Sequence, residues 1–114
     1  MIGNYCKVYL DTDASKHDVI GLIQSILTSP SESRATIRTS SCVIDVEEND
    51  QFDKAMRNQP GDFLYYRYFL DIEPIEGVSR ESYVQALSDL LRGLRKNGCK
   101  AIPACDFEDE LPKA

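Results

Sequence analysis

The sequence predicts an α+β fold of ferredoxin-like order, βαββαβ, with two helices covering one face of a four-stranded antiparallel sheet. Three observations lead to it. Two-residue alternation of apolar and polar side chains, the mark of a half-buried strand, opens the chain and recurs in its middle. Residues 63–72 are dense in aromatics, a composition that favours strand over helix. Between the strands, two segments space their apolar residues by three and four, the period of an amphipathic helix.

Residues 4–10 alternate Cys6, Val8 and Leu10 with Tyr5, Lys7 and Tyr9, and this first strand stops at Asp11-Thr12-Asp13. Ser15 then offers a hydroxyl N-cap with Asp18 three residues on, a variant of the capping box. Val19, Ile20, Ile23, Ile26 and Leu27 follow on one face of a first helix, with Gly21 its weak point. A polar connector around Pro30 leads to a second strand, 36–47, β-branched and alternating, with Cys42, Ile44 and Val46 on one side. From 48 to 61 the pattern lapses into a loop with one or two helical turns; Asp50 is its expected cap, and Phe52 and Met56 share a face.

The third strand spans 63–72, and Pro74 and Gly77 end it. Ser79 caps a second helix, whose stripe is Val84, Leu87, Leu91 and Leu94. Arg92, Arg95 and Lys96 suit the negative end of its dipole, and Gly98 terminates it. Residues 101–105 form the last strand, which Pro103 places at a sheet edge or bulge because proline cannot donate to the ladder. An acidic tail, 106–110, follows, with Phe107 and Leu111 available to dock. Cys6, Val8, Leu10, Ile44, Val46, Tyr66, Tyr68, Leu70 and Ile72 are expected to meet the helices. The opposite face is expected to carry Tyr5, Lys7, Tyr9, Val43, Asp45, Glu47, Phe63, Tyr65, Arg67, Phe69 and Asp71, a mixture of aromatic and charged groups.

At 114 residues the chain has the length of a single domain, 1–114. With 19 acidic against 13 basic side chains its formal charge is -6, which removes the electrostatic term of nucleic-acid binding and points to a basic partner. The excess is shared between the two halves of the chain, and its densest run is Asp45, Glu47, Glu48, Asp50 and Asp53. RNA stacking on the aromatics of the open face is disfavoured by the carboxylates on that face and by the missing glycine-bearing signature. No basic n-region with an apolar run follows Met1, and no segment nears the ~18 apolar residues of a membrane span, so a cytoplasmic protein without membrane contact is expected. Cys6, Cys42, Cys99 and Cys105 show no C-x-x-C spacing and read as free thiols, with a Cys6–Cys105 bridge as the alternative.

Chemistry-bearing motifs are missing. His17 is the only histidine, which excludes His-based triads and multi-histidine metal sites, and it falls in a helix's first turn, where solvent accounts for it. The serines at 29, 31, 33, 40 and 41 lack a G-x-S-x-G elbow or an S-x-x-K lysine, and no glycine-rich phosphate cradle exists. The acidic run lacks calcium-loop spacing. No catalytic residue, cofactor or metal is therefore expected, and the chain does not read as an enzyme.

In its length, its acidic surface, its strand order and the segments 42–50 and 63–74, the chain resembles the small bacterial immunity proteins of contact-dependent and other polymorphic toxin systems. The resemblance implies tight binding of a cognate toxin, often a nuclease with a basic active-site cleft, and blocking of that cleft by acidic and aromatic side chains. On that reading Asp45, Glu47, Glu48 and Asp50 supply electrostatic attraction, joined by Asp71 and Glu73 if the second and third strands pair. Tyr65, Arg67 and Phe69 are the anchors, in a monomer or a homodimer. The alternative is a small enzyme or ligand-binding domain of the dimeric α/β-barrel type, with Tyr66, Arg67 and Tyr68 lining a pocket between sheet and helices. A regulatory module binding some other protein is a third reading, separated from the first only by its partner.

Overall fold

In a computed structural model, which describes residues 4–29 and 35–113, strand β1 (Cys6–Asp11) leads into helix α1 (Lys16–Leu27) and then a hairpin of β2 (Thr36–Arg38) and β3 (Cys42–Glu48). A long connection precedes β4 (Tyr68–Pro74), helix α2 (Arg80–Lys96) and β5 (Lys100–Ala104). The strands form one antiparallel sheet in the order β2-β3-β4-β1-β5. Among the described residues the fold is α+β, with five strands where four were expected.

The fifth strand arises inside the stretch read as one strand over 36–47. The Thr39 hydroxyl accepts from the backbone N–H groups of Ser41 and Cys42, both at 3.0 Å, and makes the local turn that serine and threonine favour. This reverses the chain and folds Ile37 back opposite Ile44. Residues on both sides of the turn are extended, so alternation alone did not register the reversal.

The alternation predicts burial well. Cys6, Val8 and Leu10 of β1, Cys42, Ile44 and Val46 of β3, and Tyr68, Leu70 and Ile72 of β4 are buried against Val19 and Ile23 of α1 and Leu87, Leu90, Leu91 and Leu94 of α2. Both helix caps form as expected. Ser15 Oγ accepts from the Asp18 N–H at 3.2 Å and Ser79 Oγ from the Ser82 N–H at 3.1 Å, each worth about 1 kcal/mol. Tyr83, outside the expected stripe, is also buried; its hydroxyl donates to the carbonyls of Asn4 and Ile72, and Phe107 packs on its ring at 5.9 Å. With Leu111 buried as well, the C-terminal segment docks on the core. Arg95 donates from Nε and Nη2 to the Ala101 carbonyl, and Pro103 offers no N–H, so β5 is a poor template for further pairing. Among the described residues no helix is long and apolar enough to cross a membrane.

The two helices meet at Gly93, where an added Cβ lies 2.7–2.9 Å from Cγ2, Cγ1 and Cδ1 of Ile26. Gly21 is exposed, and a Cβ there meets nothing within 4 Å. The same substitution is therefore expected to act with opposite sign. Gly21→Ala stabilises by about 0.5–1 kcal/mol through helix propensity. At Gly93 that gain is outweighed by about 1–3 kcal/mol of overpacking, because the crowding atoms include the branch carbons of Ile26 and not only its tip. Urea unfolding of the two variants measures both, and stabilisation by both contradicts the packing argument.

Candidate functional site

Because α1 and α2 take one face of the sheet, the other face presents the alternate residues of each strand without a helix over them. Register sorts them into rows. One row runs Thr36, Asp45, Asp71, Lys7, Ala104; its neighbour runs Glu47, Phe69, Tyr9, Ile102; on the other side Val43 stands opposite Glu73. The pairing of β3 with β4 thus brings Asp71 and Glu73 beside Asp45 and Glu47. Asp45 and Asp71 are directly opposite each other, an arrangement in which like charges destabilise a sheet.

Each of these two carboxylates accepts one hydroxyl. Thr36 Oγ1 donates to Asp45 at 2.6 Å, and the Tyr5 phenol donates to Asp71. Burial, and after it the bond to Asp71, pushes the Tyr5 phenol above the usual tyrosine range. Among the described residues no lysine or arginine makes an ion pair with Asp45, Glu47, Asp71 or Glu73. Lys7, although opposite Asp71, places its ammonium 4.2 Å from the centre of the Phe69 ring and 5.5 Å from that of Tyr9. The acidic rows therefore lie beside a cation held on aromatic rings.

The connection from β3 to β4 borders this face and is pinned from below. Arg57 grips Asp11 with two bonds, Nε to Oδ2 at 2.7 Å and Nη2 to Oδ1 at 3.0 Å, and reaches Asp13 Oδ1 at 3.1 Å. The Asp11 side chain is only 5% exposed, and its Oδ1 also accepts the Arg67 N–H at 3.2 Å. Asn49 Nδ2 donates to the carbonyls of Leu64 and Tyr66, at 3.0 and 2.7 Å. So held, a 3-10 turn over Asp62–Tyr65 lays the Phe63 ring edge-on against Tyr9 at 5.3 Å. Lys7, Tyr9, Asn49, Leu64, Tyr65 and Phe69 wall a cleft of about 360 Å³, and Leu64 is 48% exposed.

Several expectations need correcting. The third strand begins at Tyr68, not at residue 63: Gly61 at φ +74° and the Asp62 carboxylate, which accepts the Asn58 N–H, start a turn that aromatic composition does not reveal. Phe63 and Tyr65 reach the open face through that turn. Arg67 lies before β4, half-buried, with Nη1 donating to the carbonyls of Asp13 and Ala14 at 3.0 and 3.2 Å. Its guanidinium braces the connection between β1 and α1. The first turn of the connection, Lys54–Met56, is capped by Asp53 and not by Asp50. Glu48 is opposite Tyr68 and falls on the helix side of the sheet by alternation, while Asp50 is exposed in the turn beyond it; both lie at the end of the sheet, outside the carboxylate rows.

The structure thus brings together Asp45, Glu47, Asp71, Glu73, Tyr65 and Phe69, and sets Glu48, Asp50 and Arg67 apart. Lys7, Tyr9 and Leu64 complete the face; the alternation of residues 4–10 already pointed to the first two. Among the described residues no three histidine, cysteine or acidic side chains converge in a way that could hold a metal ion. Neither a family model, nor a curated protein, nor a solved structure matches the chain.

Proposed function

We propose that the protein is an immunity protein: it binds a cognate toxin through the open face of its sheet and blocks a basic active-site cleft, that of a nuclease being the natural complement, in the cytoplasm. The fold then reads as a single ferredoxin-like unit, β1-α1-β3-β4-α2-β5, to which β2 adds an edge strand. The observation that carries the proposal is the directly opposed pair Asp45 and Asp71, flanked by Glu47 and Glu73, none of them in an ion pair among the described residues, beside an aromatic cleft. Opposed carboxylates on an open sheet weaken the isolated protein by about 0.2–1 kcal/mol, and a lysine or arginine from a partner removes that penalty. Tyr65, Phe69 and Leu64 supply the apolar and aromatic contact that interface centres use. Arg67 serves by holding the face in place. Phosphate is repelled by the same carboxylates, which disfavours nucleic acid.

The dimeric enzyme reading has less support. Tyr66 and Tyr68 are buried in the core, with the Tyr68 hydroxyl bonded to the Ala14 carbonyl at 2.7 Å, so they line no open pocket between the layers. Packing two copies through the open face would also bring their carboxylate rows together. Titrating the purified protein with the toxin-like product of the adjoining reading frame is expected to give a tight one-to-one complex and loss of toxin activity. No complex, or a complex that leaves activity intact, refutes the immunity reading.

A further inference from the structure

We propose that Cys6 and Cys105 are a thiol pair set to close into an intramolecular disulfide on meeting an oxidising small disulfide such as glutathione disulfide, locking the C-terminal turn to the first strand. The β1–β5 register runs from Asp11 opposite Lys100 to Lys7 opposite Ala104, where β5 ends; continued by one residue, it would set Cys6 opposite Cys105. Residues directly opposite in an antiparallel ladder have Cα atoms about 4.5–5.5 Å apart. That lies within the ~4.4–6.8 Å span of disulfides. Both thiols are free; burial raises the pKa of both, and after burial each thiol acts on the other, Cys105 raising that of Cys6 and Cys6 lowering that of Cys105. The remaining cysteines lie elsewhere: Cys42 starts β3 beside the Thr39 hydroxyl, and Cys99 precedes β5 at its opposite end.

The two thiols differ in access. Cys6 is fully buried, whereas Cys105 is partly exposed, so Cys105 is the point of entry. Its thiolate attacks one sulfur of glutathione disulfide; that S–S bond breaks, and one glutathione leaves as a thiolate and takes up a proton. Cys6 then gives up its proton and attacks the Cys105 sulfur, displacing the second glutathione. Two protein thiols are oxidised, and one glutathione disulfide is reduced to two thiols.

The bond would act where the two ends of the chain come together. Cys105 opens the turn that carries Phe107 onto Tyr83, and Tyr83 in turn bonds the Asn4 carbonyl just before Cys6. The turn is otherwise held by non-covalent contacts: the Cys105 N–H to Glu108 at 3.3 Å, the Arg80–Glu110 ion pair at 2.5 Å, and the burial of Phe107 and Leu111. A crosslink from 6 to 105 closes nearly the whole chain into a loop, the case in which the entropic effect on the unfolded state is largest.

The test is to incubate the full-length folded protein with glutathione disulfide and record intact mass, a non-reducing peptide map and the melting temperature. The expected result is the loss of two hydrogens, a Cys6–Cys105 linked peptide, and a melting temperature higher by about 5 °C or more that a reductant reverses. Cys105→Ser abolishes all three, and the double variant Cys42→Ser, Cys99→Ser keeps the linked peptide. An unchanged mass, a glutathione adduct that persists on Cys105, or a link through Cys42 or Cys99 overturns the proposal.

Discussion

Replacing Arg57 with alanine is expected to destabilise the protein by about 3–5 kcal/mol, the usual effect of removing one partner of a buried ion pair. Asp11 is the reason. Its carboxylate is 5% exposed and takes two short bonds from the guanidinium, so without Arg57 it keeps, among the described residues, only the Arg67 N–H as a bonding partner. Arg57 itself is 22% exposed, which leaves its own desolvation modest and the pair net favourable. Lysine at this position cannot reproduce the two-pronged geometry and recovers only part of the loss. The double variant Asp11→Asn, Arg57→Leu removes the orphaned charge and is expected to be milder than Arg57→Ala alone. Denaturant unfolding of the three variants supplies the comparison. A loss below about 1 kcal/mol for Arg57→Ala means that water reaches Asp11 and that the β3–β4 connection is held by something else.

Neutralising the open face gives the second large effect, this time in kinetics. The quadruple variant Asp45→Asn, Glu47→Gln, Asp71→Asn, Glu73→Gln is expected to slow association with a basic partner by about 10- to 100-fold at low salt. The deficit should shrink as salt shortens the screening length towards ~3 Å at 1 M. The isolated variant should be no less stable than the parent, and is expected to gain up to about 1 kcal/mol because the Asp45–Asp71 opposition is gone. Weaker binding together with unchanged or higher stability distinguishes a recognition role from a structural one. Neutralising Glu76 and Glu81, exposed and off the sheet, changes net charge by half as much and serves as the control for position.

What the sequence made legible was local. The Ser15 and Ser79 caps, the apolar stripes of both helices and the inward set Cys6, Val8, Leu10, Leu70, Ile72 follow from spacings of two to four residues, which physical periodicity fixes directly. The opposition of Asp45 and Asp71 was legible conditionally, once the second and third strands were taken to pair. Three features were hidden, two because local turn chemistry overrides strand-like composition and one because its partners are distant in sequence. The turn at Thr39 rests on a side-chain hydroxyl that competes with strand pairing, in a stretch whose composition is extended throughout. Phe63–Tyr65 have strand-like side chains but obey Gly61 and Asp62. Arg57 and Asp11 lie 46 residues apart, and Arg67 meets carbonyls more than 50 residues away, so neither pairing leaves a local signal.

The proposed partner docks on the open sheet face. Hydroxyl-radical footprinting of the free protein and of its complex with the product of the adjoining reading frame tests it at side-chain level. Labelling of Leu64, Tyr65, Phe69 and Tyr9 is expected to fall on complex formation, while the outer surfaces of α1 and α2 label as before. Protection confined to those helices or to the C-terminal segment, with the four open-face side chains unchanged, contradicts it.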